Sequence, residues 1–109
     1  MNTKHTLLET APESVPHEVA QEVIDFAKAD ANVTTAFVGL TSVTEDFHKP
    51  YELLAAAFVL GDESDGALQA FADRFYETLP ESLQAGGCNV LAPAALEAWQ
   101  AKAQRVFSR

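Results

Sequence analysis

The 109-residue chain is long enough for one domain with a modest hydrophobic core, needing neither disulfide nor metal. Sixteen acids against seven Lys and Arg give a formal charge of −9, which repels phosphate backbones and disfavours a broad nucleic-acid interface. The one cysteine, Cys88, excludes an intrachain disulfide and fits a reducing compartment, while an apolar share of 48% is ordinary for a globular protein.

Residues 1–13 are polar, contain a proline and have no period, which predicts a flexible N-terminal arm ahead of a single domain over 14–109. They hold no apolar core of signal-peptide length. The uncharged runs Ala31–Thr44 and Ser82–Leu96 are too short to span a membrane. A cytoplasmic protein without membrane attachment is expected. Ser14 and Pro16 announce a helix, with Val19, Val23, Phe26 and Ala27 on one side and Glu18, Glu22 and Asp25 on the other. Asn32 is its expected stop.

"VTTAFVGLTSV", Val33 to Val43, is β-branched and uncharged, as a strand buried on both faces must be. The loop "TEDFHKP" follows, then a second strand, "YELLAAAFVLG", bounded by Pro50 and Gly61. "ALQAFADRFYETL" carries Leu68, Phe71, Ala72, Phe75 and Leu79 as one helical stripe, ended by Pro80. "CNVLA" reads as a short third strand. Pro93 opens a last helix with Leu96, Trp99, Ala103 and Val106 on one side and Lys102, Arg105 and Arg109 beside them.

The order helix-strand-strand-helix-strand-helix predicts an α+β domain with a three-stranded mixed sheet. The first strand should lie in the middle, with the third on its far edge and parallel to the second. Helices one and two should cover one face, and the last helix part of the other. The expected core includes Val19, Val23, Phe26, Phe37, Val38, Leu54, Phe58, Leu68, Phe71, Phe75 and Trp99.

The acidic turn "GDESDG" does not fit a calcium loop. With Gly66 in the sixth position, Gly61 stands first and Ala72 twelfth, where ligands are required. Helix capping accounts for Asp62 to Asp65. Neither GxGxxG nor GxxxxGK[ST] occurs, so no cofactor or metal is implied. Catalysis would have to use Cys88 with His48, the one nucleophile-base pair that can be imagined meeting, and no spacing requires it. Asp46 and His48 read as solvated loop residues. Phe47 between them either tucks onto the core, which is the expectation, or is offered to a partner.

From Val15 to Phe107 the pattern resembles the C-terminal domain of the bacterial SseB family, named for enhanced serine sensitivity. "VTTAFVGLTS", "ELLAAAFVLGDE" and "CNVLAP" carry the resemblance. It implies a non-enzymatic accessory or regulatory domain, with no catalytic residues to transfer. The family's usual preceding domain is not seen in this sequence. Both lines lead to a small protein-interaction domain, with an enzyme using Cys88 and His48 as the alternative. The expected partner surface is a sheet face near Phe47, His48, Tyr51 and Trp99, with Lys102 and Arg105 facing acids. The partner is a second copy or another protein, and binding should weaken with salt.

Overall fold

The computed structural model describes residues 3–109. Strand β1 (Thr3–Leu8) leads through a 3-10 turn (Pro12–Ser14) to α1 (His17–Ala29), β2 (Val33–Glu45) and β3 (Tyr51–Leu60). Then come α2 (Asp65–Thr78), α3 (Glu81–Gln84), β4 (Asn89–Val90), α4 (Pro93–Lys102) and β5 (Gln104–Ser108). The class is α+β, but the sheet has five strands instead of the three expected. No helix among the described residues is long and apolar enough to cross a membrane.

β2 is the spine of the sheet. On one edge it pairs antiparallel with β3, from Val33↔Leu60 to Val43↔Tyr51. Its other edge is shared end to end by β5, opposite Thr35–Val38, and β1, opposite Leu40–Glu45. β4 therefore has no seat beside β2. It pairs with β3 at Ala57 and Phe58, parallel as expected but on the opposite side of the sheet from the predicted edge.

Thr10 closes the gap between β1 and β5. Its hydroxyl accepts the Leu40 N–H at 2.9 Å, and its own N–H donates to the Lys102 carbonyl at 2.9 Å. Nearly all of this residue is buried, so both bonds satisfy groups that water does not reach.

The two predicted segments that differ most are the ends. Of the arm expected over 1–13, residues 1 and 2 lie outside the described residues, while Thr3–Leu8 form a fully paired strand. The last helix stops at Lys102, and Gln104–Ser108 turn back into the sheet. Arg105 and Arg109 thus lie outside any helix. A register shift between Ala36 and Phe37 leaves Val106 as the extra residue of a bulge, so Val106 and Phe107 both pack toward the same core.

Alternation sends Ala36, Val38, Ala56 and Phe58 to one face and Phe37, Gly39, Ala55 and Ala57 to the other. The first face lies under α1 and α2. There Phe26, Phe58, Phe71 and Phe75 form a cluster with ring centroids 5.1 to 6.5 Å apart, mostly edge to face. The second face meets α4 through Trp99, Leu96 and Ala103. Gly39 permits that approach. A Cβ there would lie 2.9 Å from the Ala103 Cβ and 3.2 Å from the Trp99 ring. Of the expected core, Val19, Leu54 and Leu68 are only partly buried and the rest are enclosed.

Arg109 ties the C-terminal strand to α1. Its guanidinium donates to the carbonyls of Ala27 and Asp30, each at 3.0 Å, and its Nε donates to Val33 at 2.7 Å. Ala27 and Asp30 lie at the C-terminal end of α1, where the helix dipole favours a cation, and Val33 opens β2, so the guanidinium clamps the α1–β2 connection. Arg109→Ala should cost about 1–3 kcal/mol, the range for hydrogen bonds made by a charged group. Urea unfolding measures this, and Arg109→Lys should recover only part of the loss.

Candidate functional site

β2 and β3 are joined by residues 46–50, and the hairpin tip is a tight turn. The His48 N–H donates to the Glu45 carbonyl at 3.1 Å, which puts Asp46 and Phe47 in the two central positions. Phe47 has φ 65, the one positive φ of a non-glycine residue among those described. A turn whose third residue has positive φ calls for Gly or Asn there. A phenylalanine is strained in that position, at roughly 1–3 kcal/mol. Its ring is also fully exposed. The expected tucking onto the core is therefore corrected. The left-handed backbone lifts Phe47 to the tip of the hairpin, where the core does not shelter it.

Tyr51, exposed at the base of the turn, donates its hydroxyl to Glu45 at 3.3 Å. Desolvation, and then the Glu45 charge beside it, push its phenol above the ordinary range. Tyr51 pairs with Val43, and Val43 with His5, so the three share a row across the second sheet face. The next row is Leu7, Thr41 and Leu53, and beyond it come Gly39 and Ala55 beneath the edge of α4.

A cleft of about 320 Å³ opens here, lined by His5, Leu7, Thr41, Ala55, Gly86, Asn89 and Trp99. α4 thus covers only part of this face. Two polar side chains of the lining, Thr41 and Asn89, are hydrogen-bonded within the fold. Thr41 donates to the Leu53 carbonyl, and the Asn89 amide donates to Ala56, Gly86 and Gly87. Leu7, Ala55, the Trp99 edge and the His5 imidazole complete a lining of mixed polar and apolar surface.

The six residues expected at a partner surface divide into groups. Phe47, His48 and Tyr51 stand together on the hairpin. Trp99 is buried, with one edge in the cleft. Lys102 donates its Nζ to the Leu7 carbonyl at 3.2 Å, so its charge is held against β1. Arg105 lies opposite Phe37, at the other end of the sheet from the hairpin. No continuous basic face forms, because Arg109 is spent on α1 and Lys102 on β1. The cleft residues His5, Leu7, Ala55, Gly86 and Asn89 were not legible as a group. They come from separate segments of the chain, and Trp99 is the one lining residue that the sequence singled out.

Cys88 and His48 are not brought together. β4 sits against Ala57 and Phe58, six residues along β3 from Tyr51, which puts Cys88 about 20 Å from the hairpin tip at strand rise. Cys88 packs against the phenylalanine core, and burial pushes its thiol up, away from the thiolate a nucleophile needs. The acidic turn is used for folding. Asn32 donates to the Asp62 carbonyl at 2.9 Å and accepts the Asp62 N–H at 2.6 Å. The Ser64 N–H, and then its hydroxyl, hold the Asp62 carboxyl below the usual carboxylate range. Among the described residues no cluster of three or more His, Cys, Asp or Glu side chains could hold a metal ion.

No family model matches the chain, and neither a curated protein nor a solved structure is significantly similar to it.

Proposed function

We propose that the chain is a small non-enzymatic protein-interaction domain, accessory or regulatory, acting in the cytoplasm. The observation that carries this is Phe47. Its position costs backbone strain and leaves a full aromatic ring in water, and its own core does not compensate for either. Aromatic side chains that enter a partner's pocket are the typical anchors of protein interfaces. The partly uncovered second sheet face lies next to the hairpin and supplies area around such an anchor. The resemblance to the SseB domain points in the same direction, as part of the proposal.

For association with a second copy we expect the opposite salt response to that of an acidic partner docking on a basic patch. Lys102 lies against β1, Arg109 against the end of α1 and Arg105 on β5, so the three cations are dispersed on a strongly acidic body. For self-association, the dominant long-range charge effect is then repulsion between bodies of charge −9.

A photo-crosslinking phenylalanine analogue at position 47, introduced in the source cells, tests the proposal. It should give discrete protein adducts. The same analogue in place of Tyr76, exposed on α2, should give none. Equal labelling from both sites, or no adduct from position 47, would remove the hairpin from the interaction surface.

A further inference from the structure

Helices α1 and α2 carry an acidic layer. Glu18, Glu22 and Asp25 on α1 and Asp65, Asp73 and Glu77 on α2 are all exposed, and both helices lie over the first sheet face. The α4 side is different. Ala94, Ala95, Ala98 and Ala101 are exposed there, and Glu97 and Lys102 are the only charged residues of that helix. Two copies can therefore face each other across α4 while their acidic layers point outward. In that arrangement the acids of α1 and α2 lie on the outer sides of the pair, while Glu45 and Asp46 next to Phe47 come to the contact and add repulsion that salt screens, with a Debye length of about 8 Å at physiological salt.

The same side holds both halves of a complementary contact. The hairpin presents a fully exposed phenyl ring at its tip. The cleft beside it, about 320 Å³, sets Leu7, Ala55 and the Trp99 edge among the polar groups of His5, Thr41 and Asn89, of which Thr41 and Asn89 are hydrogen-bonded within the fold. Leu7, Ala55 and Trp99 offer an aromatic ring apolar contact there. The hairpin cannot reach back into its own cleft, because β2 and β3 run straight from one to the other.

We propose that two copies of this chain associate through the α4 side of the sheet, the Phe47 ring of each copy seated in the other's cleft between Leu7, Ala55 and Trp99. This rests on the interaction-domain proposal above and names its partner as a second copy. The contact is isologous, so it closes as a dimer and does not extend into a fibre. Burial of the ring offsets both the strain and the exposure at position 47.

Sedimentation of the purified chain tests the pairing. The wild type should show a monomer–dimer equilibrium that tightens as salt is raised, because salt screens the mutual repulsion of two acidic bodies. Phe47→Gly should weaken dimerisation by about thirtyfold or more, as loss of a buried aromatic anchor does. It should stay folded, with an unchanged or higher melting midpoint, because Gly accepts the left-handed turn without strain. With the crosslinking analogue at position 47, a mixture of isotopically heavy and light chains should join heavy to light through the peptides holding His5–Leu7 or Trp99. A wild type that stays monomeric at its highest soluble concentration overturns the pairing, as does a Phe47→Gly dimer of equal strength. Adducts to α1 or α2 overturn it too. If the wild type is monomeric and position 47 still labels a different protein in cells, the pairing fails while the interaction-domain proposal stands.

Discussion

Phe75→Ala should destabilise the chain by about 3–5 kcal/mol, the range for deleting a buried phenylalanine ring. Phe75 is fully enclosed, and its ring meets those of Phe26, Phe58, Phe71 and Tyr76. These contacts join α1, β3 and α2, so no one element can close the cavity by a local shift. A domain of this size is stable by only about 5–15 kcal/mol, so the loss is a large share of the total. Urea unfolding should show a lower midpoint with an unchanged slope. Phe75→Leu fills most of the volume and should cost well under half as much. A near-zero cost for the alanine variant would mean that the α2 stripe does not face the sheet.

The middle of the fold was legible because burial writes a pattern into sequence. β2 and β3 are enclosed on both faces, which demands uncharged β-branched and small residues, and α2 must turn one apolar stripe inward. The ends were not legible, for physical reasons that differ. In β1 the first four residues are exposed on both sides of an edge strand, so no alternation distinguishes "TKHT" from a mobile arm. In β5 the bulge at Val106 breaks the period of two. Its spacing from Trp99 and Ala103 then mimics the next turn of a helix. The candidate site divides in the same way. The hairpin loop could be located from "TEDFHKP", but the outward Phe47 depends on a backbone angle that side-chain chemistry disfavours. The cleft depends on β1, on the α3–β4 connection and on α4 meeting over one sheet face. A one-dimensional pattern does not encode that meeting.

Removing residues 1–8 should lower stability by at least about 2 kcal/mol, although the deleted segment is mostly exposed. Two costs set this figure. The deletion unpairs the Leu40–Glu45 edge of β2, where each lost backbone hydrogen bond contributes about 0.5–1.5 kcal/mol net. It also removes Leu7, which packs into the second core beside Trp99 and within 3.4 Å of a Cβ built on Gly39. Ordering an edge strand costs backbone entropy of about 1–2 kcal/mol per residue, which is why the net loss is far smaller than the gross count of bonds. Trp99 reports the second cost directly, since loss of Leu7 should admit water to its ring and shift its fluorescence to the red. A free N-terminal arm would leave both the unfolding midpoint and the Trp99 emission unchanged on the same deletion. The two measurements together separate a structural β1 from a tail that merely lies along the sheet. Leu7→Ala in the full chain should reproduce the spectral shift while keeping the ladder, and so cost less than the deletion.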